Sequence, residues 1–149
     1  MTSSRLVVPP TVRATLFSHA RAGVGDGPRE VCGILAGERG IGDDDDADRV
    51  TEIHRVTNVA DTPRVAYELD PAETLATIET IEETGKDVIG FYHSHPDTPA
   101  RPSAADEAQA TWTGYVYCIV SPTEDAVRAW RWTGERFDAL DVVDAADTA

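Results

Sequence analysis

Residues 88–106 read VIGFYHSHPDTPARPSAAD, and no other stretch constrains the fold as tightly. Residues 88–92 are bulky and mostly apolar, the pattern of a buried strand. His93, Ser94 and His95 follow. In a strand, side chains two apart share a face, so the two imidazoles project together and Ser94 faces away. Pro96, Pro99 and Pro102 then forbid a regular element. Ser103-Ala104-Ala105-Asp106 fits a capping box, and good helix formers continue it, so a helix is expected over about 103–112. Asp106 falls in its first turn, where a carboxylate suits the helix dipole.

Two imidazoles and a carboxylate form a donor set that zinc favours. A catalytic zinc keeps its fourth position for water, whereas a structural zinc uses four protein ligands, usually rich in cysteine. The candidate ligands are therefore His93, His95 and Asp106, holding one Zn2+ per chain, with the Ser103 hydroxyl nearby. Either fragment alone is weak, since Ser-x-x-Asp boxes form without metals. The weight comes from the combination: a buried strand ending in two histidines, a proline-stiffened loop, and a Ser/Asp pair opening a helix.

The full string also resembles a family signature. His93-Ser94-His95-Pro96, seven residues, Ser103, two residues and Asp106 resemble the JAMM (MPN+) metalloprotease motif. That motif is completed upstream by a glutamate before a Cys-Gly-x-Leu-x-Gly run, which Glu30-Val31-Cys32-Gly33-Ile34-Leu35-Ala36-Gly37 matches. The resemblance spans roughly residues 10–142, with no motif position departing from the pattern. Strand-edge glutamates are usually just solvated, and spacing alone does not choose Glu30 over Glu38, Glu52 or Glu68. The resemblance does.

Within the family, the chain is similar to haloarchaeal desampylases, which remove ubiquitin-like SAMP modifiers. The resemblance implies an α/β fold with a mixed sheet flanked by helices, related to cytidine-deaminase-like folds. It implies a zinc isopeptidase cutting after a Gly-Gly tail, with SAMP modifiers and their conjugates as partners. Glu30 would be the general base and acid, and Ser103 the oxyanion donor. Some small JAMM enzymes act instead on a sulfur-carrier protein adduct, and some MPN proteins are inactive scaffolds lacking one or more of these residues. All five positions are present here. A nucleobase deaminase would need His-x-Glu with Pro-Cys-x-x-Cys, and a thermolysin-like protease His-Glu-x-x-His; neither occurs.

Composition narrows the setting. The 149 residues suit one domain, taken as 1–149 with a core over about 10–142 and loose termini. No apolar run reaches the ~18 residues of a spanning helix, and the first residues lack a secretory h-region. The expectation is a cytoplasmic protein. A net charge of -14 repels nucleic acid and anionic membranes. Lys86 is the only lysine among 13 basic residues, which with the acidity suggests a halophile. Cys32 and Cys118 lie in apolar runs and read as buried free thiols.

In chain order, residues 1–9 are expected to be loose. A helix is expected over 11–23, with Val12, Leu16 and Ala20 on its buried stripe and His19 partly exposed beside it. Strands are expected over 31–36, 50–59 and 64–69, with a solvated acidic loop at 43–46 and His54 on the surface. Asp70-Pro71-Ala72-Glu73 starts a helix, its cap completed by Glu73; Leu75, Ile78 and Ile81 follow the helical period and Gly85 ends it. Strands over 115–120, 127–132 and 136–143 complete the chain, before a frayed tail at 144–149.

Overall fold

The computed structural model describes residues 4–25, 27–40 and 47–144. The elements in order are β1 (Arg5–Val7), α1 (Pro10–Ala22), β2 (Cys32–Glu38), β3 (Asp48–Val56), α2 (Pro71–Glu83), β4 (Asp87–Ser94), α3 (Ala104–Gln109), β5 (Val116–Ser121), β6 (Ala126–Trp132) and β7 (Phe137–Val143). The sheet is mixed, as expected. Strands β4 and β5 are parallel and β2 runs antiparallel to β3 and β4. It also closes on itself, in the order β1-β3-β2-β4-β5-β6-β7.

The closing strand corrects the expectation of a loose N-terminus. Leu6 and Val7 pair in parallel with Asp48 and Arg49 on one side and with Val142 and Val143 on the other. Leu6 is fully buried. Three residues are too short to stand out as a strand by alternation, and their partners lie far along the chain.

Two apolar clusters lie against the sheet. One joins α1, through Val12, Leu16, Phe17 and Ala20, to Leu35, Ile89, Tyr92 and Val120. The other joins Ile81 of α2 to Ile34, Val56, Phe91 and Tyr117. The register of β4 on β2 shifts between Leu35 and Ala36, so that Gly90 pairs with Leu35 and Val88 with Ala36, leaving Ile89 as the extra residue. This bulge puts Val88 and Phe91 in one cluster and Ile89 and Tyr92 in the other. A Cβ on Gly90 would lie 1.9 Å from the Val116 carbonyl oxygen, so β5 approaches β4 as closely as only glycine permits.

Several local expectations change. Residues 64–69 form no strand; a single antiparallel bridge joins Asn58 to Leu69. The expected alternation through Val65, Tyr67 and Leu69 fails as well, since Tyr67 is buried while Val65 is exposed; hydrogen bonds to the Asn58 side chain take the place of a ladder. His19 is buried and bonded to the Tyr92 hydroxyl at 2.8 Å. Asp70 caps α2 by accepting from Ala72 N and Glu73 N, but Glu73 does not close the box; its carboxylate accepts from Thr57 N at 2.9 Å. Leu75 is 61% exposed, so only Ile78 and Ile81 of its stripe face inward. Helix α3 ends at Gln109 rather than near Trp112, because Ala110 turns to extended backbone. Cys32 and Cys118 are buried and free, as expected. The acidic run 43–46 and most of the expected frayed tail lie outside the described residues.

Candidate metal centre

Strand β4 delivers both histidines at its C-terminal end. His93 is its penultimate residue and His95 follows it, with the His95 N–H donating to the Val120 carbonyl of β5. The loop from Pro96 to Pro102 is tied to β5 and the turn after it. Ser121 Oγ donates to Thr98 O at 2.7 Å, and Ala100 N donates to Glu124 Oε1 at 2.9 Å. The loop then delivers α3 with the expected capping box: Asp106 N donates to Ser103 Oγ, and Ser103 N donates to Asp106 Oδ2 at 2.9 Å. Ser103 stays exposed while Asp106 is buried.

Donor atoms of three side chains converge. His93 Nε2 lies 3.3 Å from His95 Nε2, Asp106 Oδ1 lies 3.2 Å from His93 Nε2, and Asp106 Oδ2 lies 3.2 Å from His95 Nε2. Tetrahedral zinc with bonds of about 2.0–2.1 Å holds its donor atoms roughly 3.3–3.4 Å apart. The separations found here are close to that spacing, with Asp106 presenting a different oxygen to each imidazole. The His95 ring is set by its Nδ1–H, which donates to the Pro99 carbonyl at 2.8 Å and leaves Nε2 free to bind a metal. Tyr67 stacks on His93, with centroids 4.0 Å apart and planes 16° apart.

Glu30 completes the group. It precedes β2, is only 5% exposed, and offers an oxygen within 4.8 Å of the other donor atoms. Its Oε1 is buried with no hydrogen-bond partner among the described residues. Burying a carboxylate oxygen without a partner is costly, so a metal, or water held between them, fits this gap.

The electrostatics agree. Burial pushes the Glu30 carboxyl up to about 8, with His95 pulling against that shift and Asp106 adding to it. Burial also works to raise Asp106, but its hydrogen bonds with His93 and His95 prevail and hold it well below the usual carboxylate range. His93 is pulled down by burial, only partly offset by Asp106. Burial likewise opposes protonation of His95, but Asp106 and the Pro99 carbonyl outweigh it and the net shift is upward. One carboxylate stays ionised while the other holds or releases a proton near neutral pH. That separation suits an acid–base group beside a ligand.

Thus Glu30, His93, His95 and Asp106 come together, with Ser103 bonded to Asp106 at the opening of α3. Sequence reasoning missed Tyr67 and Asn58 as neighbours of the site. Tyr67 stood in the sequence only as one member of the expected 64–69 strand, and nothing local marked Asn58. Tyr67 also lines a groove of about 410 Å3 with Leu69, Leu75, Phe91, Trp112 and Tyr117.

Comparisons with known proteins give the family and the fold. The family model described as prokaryotic homologs of the JAB domain matches residues 9–133. The chain is 52% identical over 143 residues to a desampylase of Haloferax volcanii, covering 95% of this chain and 98% of that protein. It is 33% identical over 129 residues to a CysO-cysteine peptidase of Mycobacterium tuberculosis, covering 85% and 82% respectively. The crystal structure of a JAB1/MPN domain protein from Archaeoglobus fulgidus superposes with a TM-score of 0.58 at 21% identity, covering 95% of this chain and 100% of that one.

Proposed function

The chain belongs to the prokaryotic JAB-domain family, and from that premise we propose that it is a zinc-dependent isopeptidase of the desampylase type. The proposed reaction hydrolyses the bond between the C-terminal Gly-Gly of a ubiquitin-like SAMP modifier and a target lysine or peptide. The observation that carries this reading is the 52% identity to a desampylase across 95% of the chain. It is supported by the buried Glu30, His93, His95 and Asp106 group.

In this reading, His93, His95 and Asp106 hold the metal. Bound zinc supplies Lewis acidity at the scissile carbonyl and lowers the pKa of water. Glu30 is the general base and then the general acid. Its Oε1, which has no hydrogen-bond partner among the described residues, takes a proton from the attacking water and passes it to the leaving amine. A carboxyl pushed up to about 8 exchanges a proton near neutral pH without large cost in either direction. Ser103 Oγ accepts from Asp106 N, which leaves its own hydrogen free to donate to the developing oxyanion.

A second reading is favoured by the similarity to a CysO-cysteine peptidase: hydrolysis of an adduct on the C-terminus of a sulfur-carrier protein. One assay separates the two. Purified protein at molar salt is given a SAMP–lysine conjugate or a carrier–cysteine adduct, with and without a chelator. Cleavage of the conjugate that stops on chelation and returns with zinc is expected. Cleavage of the adduct alone selects the second reading. No cleavage of either by zinc-loaded protein rejects both.

A further inference from the structure

The connection between β3 and α2, residues 57–70, lacks regular structure, yet it touches the metal centre at two places. Its hub is the Asn58 carboxamide. Nδ2 donates to Glu30 O at 2.9 Å and to Ala66 O at 3.1 Å. Oδ1 accepts from Ala60 N at 3.0 Å and Glu68 N at 2.9 Å. All four of its strong hydrogen-bonding positions are used. One arm grips the backbone of Glu30. Two others grip Ala66 and Glu68, on either side of Tyr67, whose ring lies flat on His93. Two further bonds brace the same segment: Glu30 N donates to Pro63 O, and Val59 N donates to Glu68 O.

We propose that Asn58 and Tyr67 are positioning residues that set Glu30 and His93 relative to one another. Neither touches a reacting atom. The inference rests on the metalloprotease reading. His95 has its ring fixed by the Pro99 carbonyl. The His93 ring instead lies nearly parallel to the face of Tyr67, which favours that plane for the imidazole. Groups that orient metal ligands from behind typically contribute ~10–100-fold to metal affinity. Asn58 acts one step further out. It fixes where Tyr67 stands and, through the Glu30 carbonyl, where the Glu30 backbone enters the site. A strand ladder over 57–70 could not do both, because its bonds would run to a neighbouring strand and not to Glu30.

The test compares Tyr67→Phe, Tyr67→Leu and Asn58→Asp with the wild type. Zinc affinity is read by chelator competition, Co2+ absorption reports ligand geometry, and kcat and KM are taken separately. Phenylalanine keeps the stacked ring, so zinc affinity within ~3-fold of wild type and an unchanged Co2+ spectrum are expected. Leucine keeps the apolar bulk but not the ring, so ~10–100-fold weaker zinc binding and an altered Co2+ spectrum are expected. Asn58→Asp keeps both Oδ acceptances but loses the donations to Glu30 and Ala66. It should bind zinc within ~10-fold of wild type and lose kcat at least ~10-fold with KM within ~3-fold. Wild-type zinc affinity and spectrum in Tyr67→Leu, or wild-type kcat in folded Asn58→Asp, overturns the inference while leaving the enzyme reading intact. Should Asn58→Asp fail to fold, the Tyr67 pair decides alone. A wild type that binds no zinc rejects the metalloprotease reading itself, and this inference with it.

Discussion

Val31 and Ser94 are joined twice. Val31 N donates to Ser94 Oγ at 2.9 Å, and Ser94 N donates to Val31 O at 2.9 Å. Ser94 is the residue between the two histidines whose side chain faces away from them, and Val31 follows Glu30. This reciprocal pair fastens the start of β2 to the end of β4. It thereby fixes the carboxylate just before β2 beside the imidazoles at the end of β4. Both residues are buried, so water does not compete for these bonds.

Metal binding should separate the ligands from the oxyanion donor. His95→Ala should hold far less than one zinc per chain. Ser103→Ala should keep its zinc and lose ~10²–10³ in rate. Because Ser103 Oγ also caps α3, that variant should lose ~1 kcal/mol of stability as well. Zinc content by metal analysis beside turnover checks both; zinc retained in His95→Ala would remove it from the ligand set.

Glu30→Gln should keep zinc and lose at least ~10²-fold in turnover. It should also stabilise the metal-free protein. The Glu30 carboxyl is raised from its ordinary value to about 8 by burial, so its ionised form is disfavoured in the fold. The unfolded state sheds the proton first, so stability falls as pH rises from about 4.5 to about 8, by up to ~5 kcal/mol. Thermal melting of chelated samples should show the variant ahead at pH 8–9, with the gap closing toward pH 5.

His19 should set an acid limb of stability. Burial, with Arg55 adding to it, lowers its pKa from 6.5 to about 4. Below 6.5 the unfolded chain takes up a proton that the fold refuses until about 4. Stability therefore falls as pH drops through that window, by on the order of 3 kcal/mol, and the effect is complete below it. Denaturant titrations of wild type and His19→Gln at pH 7 and pH 4.5 measure the difference. Parallel pH profiles would contradict a neutral, buried His19.

Strand β1 should be indispensable despite its three residues. Leu6 is fully buried between β3 and β7. Leu6→Ala should cost ~2–5 kcal/mol, read as a fall in denaturation midpoint. A loss below ~1 kcal/mol would mean that the sheet does not depend on this closure.

Salt should raise the melting temperature. A net charge of -14 repels itself, and the screening length falls from about 10 Å at 0.1 M salt to about 3 Å at 1 M. Melting many degrees higher at molar potassium chloride is expected; equal values would dismiss the halophilic reading.

The candidate metal ligands were legible in the sequence because their geometry is local. Period two along β4 puts His93 and His95 on one face, and a capping box places Asp106 at the start of α3 whatever surrounds it. Glu30 was different. Its strand start could be read, but nothing local distinguishes it from other glutamates, and the resemblance alone selected it. The apolar runs likewise announced β2, β4 and β5, since burial on both faces leaves little room for polar residues.

What the sequence determined by itself is therefore what short-range backbone geometry dictates: the paired imidazoles, the capped helix, and the buried strands that carry them. Tertiary structure decided everything that depends on contacts between distant segments. It turned residues 5–7 into the strand that closes the sheet, buried His19 against Tyr92, and sent the Glu73 carboxylate to Thr57 rather than to its own helix cap. It made Asn58 and Tyr67 neighbours of the site by folding 57–70 onto Glu30 and His93. These outcomes turn on which unsatisfied donor or open face a group meets, and a side chain's partners across the fold are set by packing, not by its sequence neighbours.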